Sequence, residues 1–199
     1  MEVTSIILAG GRNLRLGRNK ALETIGGKRL IERVVERVKL VSQRTLIVTA
    51  QGQPEIPGLD EVGIVADLYP GKGPLGGIYT GLHFAQSSHG IVVACDMPFL
   101  NPRLFSYMIE LSSGFDAVVP RLREGRVEPL HAVYSKSCLD DMKARLEHNQ
   151  LEVNRFLSTI RVRYIDAAEC RKFDPKLLTF FNINSQLDLD RAVALAMES

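Results

Sequence analysis

Short apolar, β-branched runs that stop abruptly on a glycine or an aspartate constrain this 199-residue chain more than any other feature. Val3–Leu8 runs into Ala9-Gly10-Gly11, Val62–Ala66 into Asp67, and Gly90–Cys95 into Asp96. Such runs read as buried strands. Segments of helical period lie between them. In Lys28–Val41, residues Leu30, Ile31, Val34, Val35, Val38 and Val41 recur at helical spacing, with Glu32, Arg33, Glu36 and Arg37 on the other face. Strands alternating with helices predict an α/β sheet with a helical layer on each face.

The pattern continues along the chain. Thr45–Thr49 reads as a strand and Gln51–Asp60 as a Pro/Gly-rich loop. A helix is expected over Gly76–Gln86, entered through Gly73-Pro74. Asn101-Pro102 is a cap and first-turn pair for a helix to Leu111. Asp116–Pro120 and Leu130–Tyr134 read as strands flanking a basic, hairpin-like loop, Arg121–Arg126. Helices follow at Ser137–His148 and Leu151–Leu157, and a strand at Val162–Ile165. Ser185-Gln186-Leu187-Asp188 resembles a capping box opening a helix to Met197. The sheet is expected to be mostly parallel, with some antiparallel strands in the second half. No repeat or linker divides the chain, so residues 1–199 are expected to form one domain.

Composition excludes several classes. A net charge of +2 without a Lys/Arg block does not suggest nucleic-acid binding. Cys95, Cys138 and Cys170 are odd in number and far apart, which argues against a zinc site or a disulfide framework and for a reducing compartment. The start of the chain lacks a signal-peptide pattern, and the charge-poor stretch Gly73–Cys95 is too interrupted to span a membrane. A cytoplasmic protein that binds neither nucleic acid nor membrane is expected.

The chemistry concentrates after the first strand. Gly10-Gly11 opens a loop carrying Arg12, Arg15, Arg18 and Lys20, a combination suited to polyphosphate. The P-loop pattern is absent, because Gly27-Lys28 is followed by Arg29 and position 22 is leucine. The dinucleotide fingerprint also fails, because Arg12 stands two residues after Gly10. Asp96, at the mouth of a buried strand, can hold a divalent cation against phosphate oxygens, and Mg²⁺ suits that role. Lys20 and Arg15 can follow charge on the phosphates. Ligands of such sheets sit beyond the carboxyl ends of the strands, so Gly10, Gly11, Asp67 and Asp96 are expected to converge on one crevice. Gly71–Gly77 suggests backbone lying close to a bulky ligand. Asn182 and Asn184 could donate to a substrate, although Asn184 or Ser185 is also a natural N-cap. His131, inside an apolar strand, reads as a satisfied, half-buried histidine rather than a base.

Taken together, Leu8-Ala9-Gly10-Gly11 with Arg15, Gly17 and Lys20 resembles the opening of the molybdenum cofactor guanylyltransferases. The resemblance continues through Gly73–Gly77, Asp96-Met97-Pro98-Phe99, Glu128–Tyr134, and Phe181-Asn182-Ile183-Asn184 with Asp188-Leu189. It departs at Ser185-Gln186-Leu187, where a Thr-Pro-Glu-like turn is usual, and around Thr49 and Gln51, where an asparagine is missing. It implies a Rossmann-like three-layer α/β/α sandwich of the nucleotide-diphospho-sugar transferase type. It also implies transfer of GMP from GTP to molybdenum-molybdopterin, with pyrophosphate released and Mg²⁺ as cofactor. By the same resemblance Leu8, Ala9, Gly10 and Gly11 meet the nucleotide, Lys20 its phosphates, Asp67 the nucleotide, and Asp96 both nucleotide and Mg²⁺. Arg15, Lys20 and Asp96 are the implied catalytic set, and Asn182 and Asn184 the implied substrate contacts. Apo-molybdoenzymes and other cofactor-assembly proteins are the implied protein partners. Arg121, Arg123 or Arg126 is expected at the acceptor phosphate. The rival readings are a cytidylyl- or sugar-phosphate nucleotidyltransferase, against which Gly10 speaks for the cytidylyl case, and a non-catalytic cofactor carrier.

Overall fold

The computed structural model describes residues 1–10, 23–52, 56, 58–59, 61–122 and 125–197. Its centre is a sheet of seven strands. These are β1 (Val3–Leu8), β4 (Arg44–Thr49), β5 (Gly63–Ala66), β6 (His89–Ala94), β7 (Ala117–Arg121), β8 (His131–Ser135) and β9 (Val162–Asp166). A separate two-stranded hairpin joins β2 (Thr24–Ile25) to β3 (Lys28–Arg29). The order across the large sheet is β5-β4-β1-β6-β8-β7-β9. β1 pairs in parallel with β4 and β6, β4 with β5, and β7 with β9. β8 is antiparallel to both neighbours, so it alone of the seven is reversed.

Side chains alternate between the faces of the sheet, as strand geometry requires. Ile7, Ile91, Val93, Val118 and Val133 pack with α1 (Leu30–Val38) and α3 (Pro102–Glu110). Ile6, Val92, Ala117, Val119, Ala132 and Tyr134 pack on the opposite side with α2 (Gly73–Phe84), α4 (Leu139–Glu147) and α5 (Val153–Leu157). The expected three-layer arrangement results. α6 (Ala167–Arg171) follows β9 directly, and α7 (Gln186–Met197) closes the chain against the β2–β3 hairpin through Ile25, Leu30, Ile183, Leu189 and Ala192.

Several local signals act as read. Asn101 Oδ1 accepts from the Arg103 and Leu104 amides and starts α3. Ser185 and Asp188 cap α7 reciprocally: the Ser185 amide donates to Asp188 Oδ2, and the Asp188 amide to Ser185 Oγ. Other expectations are corrected. The helix expected from Lys28 begins at Leu30, because Gly26 and Gly27, both at positive φ, turn the chain into a hairpin that uses Lys28 and Arg29 as strand. The helix expected from Gly76 begins at Gly73. Half of the segment Gln51–Asp60 lies outside the described residues.

The candidate nucleotide site at the carboxyl edge of the sheet

Open α/β sheets hold ligands where the strand order reverses. Here the chain steps outward from β1 to β4 and β5, then returns to place β6 on the other flank of β1. The ends of β1 and β6 are therefore adjacent. Leu8 pairs with Ala94, and the Cys95 amide donates to the Leu8 carbonyl at 3.1 Å. The glycine end of the first strand and the acid end of β6 share this edge.

Each predicted residue can be followed to its place. Leu8 ends β1, and the Ala9 amide donates to the Val48 carbonyl at 2.9 Å. Gly10 is wedged against the turn after β4. A Cβ there would stand 3.0 Å from the Ala50 nitrogen and 3.2 Å from the Thr49 carbonyl carbon. A side chain would push the β1 and β4 exits apart, so only glycine keeps this backbone close and its surface open. Gly11, Arg15 and Lys20, together with Arg12 and Arg18, lie outside the described residues.

Asp67 follows β5, with its amide donated to the Thr49 carbonyl at 2.8 Å. Two strand spacings, roughly 10 Å, separate it from the end of β1. Its Oδ1 accepts from the Tyr69 amide at 3.0 Å and from Thr80 Oγ1 at 2.8 Å. The Leu68 amide donates to the same hydroxyl at 3.0 Å. Asp67 therefore ties its loop to α2 through Oδ1. Thr80 was not singled out by the sequence, because thirteen residues separate it from Asp67.

Asp96 is half-buried, and its carbonyl accepts the Ile183 amide at 3.0 Å. That bond brings the Asn182-Ile183-Asn184 segment to the acid. Asn182 donates through Nδ2 to the Phe180 carbonyl at 3.1 Å, and the Asn184 amide donates to Asp188 Oδ2 at 3.1 Å. Ser185, not Asn184, serves as the N-cap of α7, which leaves the exposed Asn184 side chain outside the capping box.

Gly71–Gly77 requires a correction. At Gly76 and Gly77 the missing side chain makes room for protein atoms. A Cβ on Gly77 would meet Leu8 Cδ2 at 3.2 Å, and one on Gly76 would meet the Tyr69 carbonyl oxygen at 3.0 Å. Only Gly71 and Gly73, before and at the start of α2, border open space. His131 is a second correction. It is fully buried, not half-buried, and its Nδ1 has no hydrogen-bond partner. Burial pushes its pKa down to about 3, so it is no base at neutral pH.

The described ends of the basic loop pair as a hairpin would. Arg121 pairs with Val127, and the Leu122 amide donates to the Arg126 carbonyl at 2.8 Å. The Arg121 guanidinium lies 3.4 Å over the Tyr164 ring, and Arg126 Nε is 2.6 Å from Glu128 Oε1. Burial raises the Glu128 pKa, and Arg126 offsets part of that rise. Because β8 is reversed, this hairpin emerges at the same edge as Asp96, with the Ala94 amide donated to the Leu130 carbonyl at 3.2 Å. Arg123 lies outside the described residues. Among the described residues no cluster of three or more His, Cys, Asp or Glu could cage a metal. One strand-end carboxylate suits a hard cation that takes its other ligands from phosphate and water. Cys138 and Cys170 are buried thiols pushed up to about 12, too high for reactive thiolates.

Residues 5–163 match the MobA-like NTP transferase domain. The chain belongs to that family. It is 38% identical over 200 residues to a probable molybdenum cofactor guanylyltransferase of Pelotomaculum thermopropionicum, covering 100% of this chain and 96% of the relative. It is 36% identical to a molybdenum cofactor guanylyltransferase of Desulfosudis oleivorans, covering 96% of this chain and 95% of that one. The crystal structure of molybdopterin-guanine dinucleotide biosynthesis protein A from Archaeoglobus fulgidus superposes with a TM-score of 0.86 at 30% identity, over 98% of this chain and 100% of the other. This MobA-like transferase thus has the expected α/β fold, and among its described residues no helix is long and apolar enough to cross a membrane.

Proposed function

We propose that this MobA-like transferase moves GMP from GTP to the terminal phosphate of molybdenum-molybdopterin, giving the guanine dinucleotide cofactor and pyrophosphate. The reading is carried by one observation: Gly10 and Asp96 close adjacent strands at the point of order reversal. The names of its full-length relatives support the substrate pair.

No enzyme nucleophile is needed. A phosphate monoester has a second pKa near ~6, so at neutral pH it is largely a dianion. Its oxygen forms the new bond to the α-phosphorus of GTP, and the bond from that phosphorus to the bridging oxygen breaks as pyrophosphate leaves. The chain's task is to position both substrates and to offset charge. Gly10 lets the first-strand turn lie against the nucleotide, and Asp67 contacts it from the β5 side. Lys20 and Arg15 neutralise charge on the phosphates. Asn182 and Asn184 hold the acceptor beside Asp96, and the Arg121–Arg126 hairpin meets its phosphate. Asp96 would hold Mg²⁺, which when bound screens phosphate charge.

Pyrophosphate release on mixing protein, GTP, Mg²⁺ and molybdopterin tests the proposal. Release with GTP but not CTP or ATP is expected, and no release with any nucleotide would reject it. Asp96→Ala is expected to lower the rate roughly 10²–10³-fold. Wild-type turnover by that variant would remove Asp96 from the mechanism. Chelation of divalent cations is expected to stop turnover and added Mg²⁺ to restore it.

A further inference from the structure

The edge that carries Asp96 is joined to the segment carrying Asn182 and Asn184 at two points. One is the Ile183 amide on the Asp96 carbonyl. The other is a buried polar cluster. Thr179 Oγ1 accepts the Asn101 amide at 3.1 Å and lies 2.7 Å from His131 Nε2. The Thr179 amide donates to Asp174 Oδ2 at 2.7 Å, and Asn101 Nδ2 donates to the Phe173 carbonyl at 2.9 Å. Asn101 ends the loop that Asp96 begins, and Thr179 stands three residues before Asn182.

His131 holds the cluster from the sheet. Its ring stacks on Phe105 of α3 at 4.3 Å between centroids and lies 4.7 Å from Phe180. The Thr179 hydroxyl already accepts one hydrogen bond, so its own hydrogen is available to Nε2 of a neutral imidazole. A phenylalanine would fill the same space without burying an unpartnered Nδ1, which is a costly arrangement. Packing alone gives no reason for a histidine here. The bond to Thr179 does.

We infer that His131 and Thr179 are positioning residues. Together they clamp the Asp96–Asn101 loop to the Phe173–Asn184 segment and so set Asp96 against the acceptor-side asparagines. The inference rests on the proposed function for its kinetic consequence and on hydrogen bonds alone for its structural one. Gly10 and Asp67 lie outside the clamp.

Three variants, Thr179→Val, Thr179→Ser and His131→Gln, test it with two readouts. Thr179→Val keeps the shape and removes the hydroxyl. It is expected to lower kcat about 10- to 100-fold, by analogy with lost supporting contacts at metal and substrate sites, with KM for GTP changed by less than about threefold. Hydrogen exchange at the Ile183 amide is expected to speed up about tenfold or more, the scale of one lost supporting contact. Thr179→Ser retains the hydroxyl and is expected to restore both. His131→Gln can keep a bond to Thr179 and is expected to fall between them, which gives a reading even where Thr179→Val does not fold. Wild-type exchange and kcat in Thr179→Val would overturn the inference. So would a Thr179→Ser variant as impaired as Thr179→Val, because shape rather than the hydroxyl would then matter. If the wild type transfers no GMP, the proposed function fails, and the exchange arm still decides the clamp.

Discussion

The two halves of the sheet solve different problems. On the β5-β4-β1-β6 side the strands are parallel, and α2 lies so close that a Cβ on Gly81 would stand 2.1 Å from Ile6 Cγ2. On the β8-β7-β9 side charged side chains set the geometry. Arg121 covers Tyr164, and Arg163 pairs with Glu169 at 2.7 Å while Tyr107 donates to the same carboxylate oxygen at 2.9 Å. In the first half Gly77, Gly81 and Gly90 let α2 and the strands approach so closely that an added Cβ would meet Leu8, Ile6 or Leu82. The second is held in part by half-buried polar pairs, whose net contribution is individually modest. The parallel half should therefore fail through volume and the mixed half through charge.

Gly81→Val should break the comparison most sharply. Ile6 is fully buried between the sheet and α2. A loss of roughly 3 kcal/mol, the upper end of overpacking, is expected in urea unfolding. A variant as stable as wild type would mean that α2 can slide on β1. Per pH unit, His131 gives the next effect. In the folded chain its pKa is about 3, below the ~6.5 of an unfolded histidine. Between these values the unfolded chain binds the extra proton, so the His131 contribution is whole above about pH 6.5 and is lost on acidification. The acid limb of the stability profile should gain up to about 1.4 kcal/mol per pH unit from this group. His131→Gln should flatten it, and an unchanged profile would count against the buried neutral ring. Arg121→Gln should have the smallest effect, about 0.5–1 kcal/mol from the lost cation–π contact, with a larger rise in KM for the acceptor than for GTP. A larger rise for GTP than for the acceptor would place the hairpin on the nucleotide side instead.

Much of this division was legible in the sequence, for identifiable reasons. β1 came out residue for residue because Val3–Leu8 is a continuous apolar run ending in glycine. The carboxyl-edge rule placed Gly10 and Asp96 together without any distance. The β2–β3 hairpin was missed although Ile25-Gly26-Gly27-Lys28 carries its turn signal, because the helical period that follows drew Lys28 and Arg29 into the helix. α6 was missed although Asp166 and Glu169 form its capping box. The role of Gly76 and Gly77 could not be read, since glycines that admit a ligand and glycines that admit a neighbouring strand look alike in one dimension. The same holds for His131, Thr179 and Asn101, which meet only after distant segments fold together.

The reversed strand β8 has a practical consequence. Both ends of the β7–β8 connection open at the ligand edge, and neither is threaded into the parallel frame beside it. Residues can be added to or exchanged in that connection at small entropic cost, because it closes on itself. On the proposed function, a hairpin exchanged there would change the contacts to the acceptor phosphate and leave the Gly10 end of β1 in place.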